Sequence, residues 1–104
     1  NFADIFAVMG LYSATPKGTF TPGLEFSGTV LEVHPSVASD AQAKGKWVPR
    51  AGCEVMGVTR FGGYSTVVNV KGVTVCELPE GWSFSQGASF LCASLTAWYG
   101  LVTL

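Results

Sequence analysis

The chain has 104 residues, enough for one domain with a modest core. Apolar residues make up 48% but charged residues only 12%, about half the ~25% of an average domain, so part of the apolar surface is expected to be covered by something outside the chain. A net charge of −1 with no basic block argues against a nucleic-acid surface built on phosphate contacts.

Residues 1–9 place Phe2, Ile5, Phe6 and Met9 at helical spacing and stop at Gly10, which predicts a short helix or turn. Residues 11–23, with Pro16, Gly18, Pro22 and Gly23, read as loop. Within Pro22-Gly23-Leu24-Glu25-Phe26-Ser27-Gly28 a single carboxylate stands between two glycines, just before an apolar run. A carboxylate there is costly unless something pairs with it or hydrates it. A hairpin turn explains the glycines but not the charge, which marks Glu25 as the first place to look for a site.

Residues 26–33 read as a strand, and residues 34–49, polar and small, as a surface loop. A short strand is expected over 54–58, a turn at Gly62-Gly63, a strand over 64–70, a turn at Lys71-Gly72 and another strand over 73–78. Short strands at such spacing suggest a β-barrel or sandwich. Residues 81–104 carry no charge, which raises a membrane span. Against it stand Ser83, Ser85, Gln86, Ser89, Ser94 and Thr96, the preceding turn Leu78-Pro79-Glu80-Gly81, and the recurrence of Phe84, Ala88, Leu91, Leu95, Trp98 and Val102 at steps of three and four. That pattern predicts a helical face buried on a protein core. The expected class is mainly β with short helices, α+β.

Cys53, Cys76 and Cys92 are odd in number and widely spaced, so they form neither a disulfide framework nor a metal knuckle, and a reducing, cytoplasmic setting fits them. The sole histidine, His34, precedes Pro35 at a strand end, where an exposed loop histidine is favoured over catalysis, and no Ser-His-Asp set is available. No dinucleotide fingerprint or Walker loop is present, and no signal peptide is visible. The chain opens on Asn1 and ends without a turn signal at Gly100-Leu101-Val102-Thr103-Leu104, so a fragment of a longer protein is expected.

The order of segments resembles the catalytic-domain start of the medium-chain dehydrogenase/reductases, most closely the quinone oxidoreductase branch. The resemblance is carried by Asn1-Phe2-Ala3-Asp4, Gly10-Leu11-Tyr12 and Pro22-Gly23-Leu24-Glu25-Phe26-Ser27-Gly28-Thr29-Val30, then Gly62-Gly63-Tyr64-Ser65, Leu78-Pro79 and Leu91-Cys92-Ala93-Ser94-Leu95-Thr96-Ala97-Trp98. It implies a GroES-like, partly open β-barrel over residues 1–104, incomplete at both ends, with residues 84–104 as a helical bridge to a Rossmann domain beyond Leu104. Relatives carry Gly-Asp-Arg-Val where this chain has Gly52-Cys53-Glu54-Val55, and the 34–49 loop is longer than theirs.

Zinc-dependent relatives place a cysteine where Asn1 stands, a histidine where Leu24 stands and a cysteine at Cys92. Only the last remains, and an amide and a leucine supply neither thiolate nor imidazole, so no metal is expected. By the same resemblance the cofactor is NADPH, held mostly by the absent domain, and the acceptor is a quinone or enone. Asn1 matches an asparagine lining the nicotinamide–substrate cleft, with an amide that can donate to a substrate oxygen; the alternative is a helix cap. Tyr12 matches a tyrosine near the substrate that can hydrogen-bond a carbonyl, or else it is a loop tyrosine resting on the core. Thr96 matches a threonine contacting the nicotinamide end, or else its hydroxyl bonds back to a helix carbonyl.

Tyr64 is expected to pack in the core, Cys92 to be a small buried hydrophobe, and Glu25 to pair with a cation or buried amides. The implied parent is a zinc-independent NADPH-dependent quinone or enone reductase, a homodimer as many relatives are. The alternative is a non-catalytic GroES-like binding or structural module, as in vesicle-associated relatives.

Overall fold

The computed structural model describes residues 1–103. Three antiparallel strands in the order β1-β2-β3 carry it: β1 (Glu25–Thr29), β2 (Glu54–Val58) and β3 (Val75–Glu77). β1 meets β2 in the register Glu25↔Val58 to Thr29↔Glu54, and β2 meets β3 through Met56↔Cys76. Four short helices surround them: α1 (Phe2–Val8), α2 (Pro35–Ala43), α3 (Phe84–Ala88) and α4 (Leu91–Trp98). A 3₁₀ turn (Gly72–Thr74) leads into β3, and a π-helical turn (Tyr99–Thr103) follows α4. This is the α+β arrangement of short helices on an antiparallel sheet that the composition and turn spacing predict.

The buried apolar centre is small: Ala7 from α1, Val55 and Met56 from β2, and Leu78 just after β3. α3 reaches this centre through a residue without a side chain. A Cβ at Gly87 would stand 3.1 Å from Ser27 Cβ and 3.5 Å from Met56 Cβ, and would collide with Leu78 Cδ1. The start of α3 is fixed by a reciprocal cap, in which Gln86 N–H donates to Ser83 Oγ at 3.1 Å and Ser83 N–H donates to Gln86 Oε1 at 2.8 Å.

Five expectations are corrected. The 34–49 segment is not all loop, since nine of its residues form α2. Ser36 N–H donates to His34 Nδ1 at 3.2 Å, Pro35 opens the first turn, and Ala38, Ala41 and Ala43 favour the helix that follows. Residues 64–70 form no strand, because among the described residues no neighbouring strand takes up their backbone groups. The strands predicted over 26–33 and 73–78 shrink to β1 and β3: β1 pairs with β2 only as far as Thr29, and residues 72–74 are taken by the 3₁₀ turn that leads into β3.

The fourth concerns the chain's last twenty residues. Helical order is there, as α3, α4 and the π turn, but Phe84, Leu95, Trp98 and Val102 are exposed and not packed on a core. The centre of the domain reaches α3 and goes no further. No helix among the described residues is long and apolar enough to cross a membrane. Leu104, the end of the predicted stretch, lies outside the described residues. Tyr64, expected in the core, is 62% exposed.

The contact at position 87 is testable. Gly87→Ala should destabilise the folded protein by about 1–3 kcal/mol through overpacking, even though alanine is the better helix former. The readout is the urea midpoint, and an unchanged or raised midpoint contradicts the close approach of α3 to the sheet.

Candidate functional site

Gly23 sits at φ +106°, and a Cβ there would lie 2.5 Å from Tyr64 N and 2.7 Å from Gly63 Cα. Only glycine allows this conformation and this approach together. The approach lets segment 21–23 run against segment 62–64: Gly62, Gly63 and Tyr64 N–H donate to the carbonyls of Thr21, Gly23 and Pro22 at 2.8, 2.9 and 2.9 Å. The chain leaves this clamp at Leu24, and Glu25 opens β1.

Two carboxylates meet here. Asp4, on α1, is buried to 4% exposure, and its Oδ1 accepts the Gly23 N–H at 3.2 Å. Glu25, half-buried, accepts from Asn1 Nδ2 through Oε1 at 2.9 Å and from the Cys92 backbone N–H through Oε2 at 3.1 Å. Asn1 Nδ2 also donates to Asp4 Oδ2 at 3.3 Å. Both hydrogens of the Asn1 amide are therefore taken up by carboxylates. No side chain of its own caps α4, so Glu25 performs that role from β1 and faces the positive end of the helix.

Cys92 lies one residue into α4, with Sγ 3.9 Å from the Leu24 carbonyl. Burial pushes its thiol above the usual cysteine range, and the nearby charges of Glu25 and Asp4 push the same way. Both effects lower the thiolate fraction and with it the nucleophilicity of Cys92. It is half-buried rather than fully so. One turn further along, Thr96 Oγ1 donates to the Cys92 carbonyl at 2.6 Å, and the residue is otherwise exposed. Its hydrogen is engaged and its lone pairs are free.

The structure thus joins Asn1, Glu25, Cys92 and Thr96 in one hydrogen-bonded line. An open cleft of ≈ 390 Å³ adjoins it, walled by Asn1, Glu25, Ser27, Tyr64, Ala88 and Ser89. That volume falls in the range of about 300–1,000 Å³ typical of small-molecule sites. Tyr12 is held apart from the line. Its ring meets Phe61 edge-on at 6.4 Å, and Phe61 meets Phe20 at 5.6 Å. Phe61 holds φ +132°, a costly conformation outside glycine, braced by Thr59 Oγ1 donating to its carbonyl at 2.8 Å. Among the described residues the Tyr12 phenol has no hydrogen-bond partner.

A larger cleft of ≈ 800 Å³ lies between α2 and β3, lined by Val37, Trp47, Val73 and Cys76 among others. It holds none of Asn1, Tyr12, Glu25, Cys92 or Thr96. Among the described residues no three His, Cys, Asp or Glu side chains converge as a metal-holding group. Asp4 and Tyr64 are parts of the site that sequence reasoning missed. The argument applied to Glu25, a lone carboxylate in an apolar stretch, applies equally to Asp4 and would have found it.

Residues 1–80 match the alcohol dehydrogenase GroES-like domain. The whole chain is 39% identical to part of the phenolphthiocerol synthesis polyketide synthase type I Pks15/1 of Mycobacterium bovis, covering 4% of that protein. It is 35% identical, over 85% of its length, to quinone oxidoreductase-like protein 2 of Mus musculus, covering 23% of it. In the crystal structure of the human synaptic vesicle membrane protein VAT-1 homolog-like protein, 30% of the chain superposes on 99% of this one with a TM-score of 0.84 at 28% identity. The chain therefore spans less than a third of the length of each of these relatives.

The Glu25–Cys92 contact makes a measurable demand. Glu25→Gln removes a negative neighbour, so the Cys92 thiol should become more acidic and the thiolate fraction at pH 8 should rise. Alkylation at Cys92 by iodoacetamide, followed on its tryptic peptide, should speed up several-fold while Cys53 and Cys76 keep their rates. A Cys92 rate that stays level or falls contradicts the electrostatic coupling.

Proposed function

The chain belongs to the alcohol dehydrogenase GroES-like domain family, in the quinone oxidoreductase-like branch of the medium-chain dehydrogenase/reductases, and from that premise we propose that it is the substrate-side domain of a zinc-independent NAD(P)H-dependent oxidoreductase acting on a quinone or enone. The observation that carries this reading is the line of polar groups from Asn1 through Glu25 and Cys92 to Thr96, whose Asn1–Glu25 end lines an open cleft.

A nicotinamide fits the free atoms of that line. Asn1 Oδ1 is unengaged and Asn1 lines the cleft, which is large enough for an aromatic ring; the Thr96 lone pairs are unengaged outside its lining. Bound there, the reduced ring supplies hydride. The protein's own share is orientation: Glu25 fixes Asn1 at the cleft and ties it to the start of α4, so the helix is held in register with the cleft wall. Tyr12, with a free phenol, is the donor available to a carbonyl oxygen that gains electron density. Catalytic zinc does not fit the donor set. Asn1 and Leu24 offer no metal ligand of the required type, which leaves Cys92 alone of the three positions.

Residues 84–103 serve in this reading as the bridge to a cofactor domain, and their exposed apolar face, with Leu95, Trp98 and Tyr99, as surface to be covered by it. NADPH is the expected dinucleotide, and three free cysteines suit a cytoplasmic setting. A second reading, a non-catalytic binding or structural module, draws on the likeness to the VAT-1 homolog-like protein.

Oxidation of NADPH by the full-length parent, assayed against a panel of quinones and enones, separates these readings. Turnover that survives EDTA and 1,10-phenanthroline is expected. Loss on chelation overturns the zinc-independent reading, and no oxidation with any acceptor favours the module. Tyr12→Phe should slow turnover about tenfold, the equivalent of one hydrogen bond to the developing oxyanion. An unchanged rate removes Tyr12 from the reaction.

A further inference from the structure

We infer that Asn1 meets its ligand as a hydrogen-bond acceptor, through Oδ1, and thereby reads a donor: the carboxamide N–H of a reduced nicotinamide. The inference rests on the reductase reading above and assigns Asn1 a polarity within it. An asparagine amide has two N–H donors on nitrogen and an acceptor oxygen. The side chain at position 1 stands between Glu25 Oε1, at 2.9 Å from Nδ2, and Asp4 Oδ2, at 3.3 Å. Carboxylate oxygens accept only. Turning the amide over would set its oxygen against two of them with no proton between, so the chemistry of the neighbours chooses the orientation.

Neither carboxylate is free to swing away and release the amide. Asp4 is buried and its other oxygen holds the Gly23 N–H. The other oxygen of Glu25 holds the Cys92 N–H at the start of α4. The orientation of Asn1 is therefore locked from three segments of the chain, and Oδ1 is the atom left for a ligand beside the cleft. A quinone or an enone offers only acceptor oxygens and gains nothing from Oδ1. The carboxamide of the reduced cofactor offers two N–H donors, and its primary amide matches the one free atom of Asn1.

Three reduced cofactors distinguish this: NADPH, its thionicotinamide analogue, which keeps the amide N–H₂ and weakens the acceptor, and its 3-acetylpyridine analogue, which keeps the acceptor and replaces N–H₂ with a methyl group. Each is titrated into the full-length parent and its dissociation constant is read from protein fluorescence. The parent should bind the acetylpyridine analogue about tenfold more weakly than NADPH, and the thio analogue within about twofold. In Asn1→Ala the acetylpyridine penalty should fall to within about twofold. Asn1→Lys keeps a donor between Asp4 and Glu25 but has no acceptor, so it should lose the penalty too, and it guards against an alanine variant that fails to fold.

Equal binding of NADPH and the acetylpyridine analogue, a penalty on the thio analogue instead, or a penalty that survives both substitutions overturns the assignment and leaves the reductase reading standing. If no dinucleotide binds, both fall.

Discussion

One carboxylate ties the site together. Glu25 accepts a hydrogen bond from a residue 24 positions before it and another from a residue 67 positions after it. α1, β1 and α4 are joined at that point, although little apolar surface holds α4 to the rest. A carboxylate suits the position because it has several lone-pair sites and needs donors on more than one side. The helix start supplies one such donor with a favourable dipole, and the Asn1 amide supplies another. An aliphatic residue in the same place would leave a backbone N–H and a side-chain amide without partners. The charge that is costly in an apolar run becomes the bond between segments.

The glycines around it are part of the same device. Segment 21–23 lies against segment 62–64 because Gly23 and Gly63 have no side chains, and a Cβ on Gly63 would come within 2.7 Å of the Glu25 carbonyl. This clamp sets where β1 begins, and so where the Glu25 carboxylate points. Asp4 completes it by holding the Gly23 N–H from α1. Two buried or half-buried acids in one small domain are thus satisfied by four N–H contacts, and the same contacts orient Asn1.

How much of this was legible in the sequence depends on whether a residue's needs are local. A lone charge in an apolar run must find donors somewhere, so Glu25 announced the site before any coordinate did. Asp4 carried the same signal, but it sat inside a helical pattern that seemed to account for it. β2 was read correctly because it is the central strand and has a partner on both sides. Residues 64–70 have a strand's composition and no partner among the described residues, and composition cannot supply one. α2 hid behind small polar residues, although a proline following a capping residue and three alanines were there to be read. The face of Phe84, Leu95, Trp98 and Val102 was recognised by its period, but a period says only that apolar residues share a side, not what lies against it.

The direction of hydrogen bonds is the part no sequence pattern could reach, and it organises the proposed chemistry. Asn1 has both N–H groups engaged by carboxylates, and Thr96 has its hydroxyl hydrogen engaged by the Cys92 carbonyl. Both residues therefore keep only acceptor lone pairs free, although each type can act either way. Tyr12, 84 positions before Thr96 in the numbering and packed against Phe61, keeps a free phenolic donor. On the reductase reading the division follows the chemistry of the two ligands. A nicotinamide carboxamide brings N–H groups and is met by acceptors, while a quinone or enone brings an oxygen that grows more negative and is met by a donor. On that reading, the polarity that Asp4 and Glu25 fix in advance at Asn1 helps tell the two ligands apart.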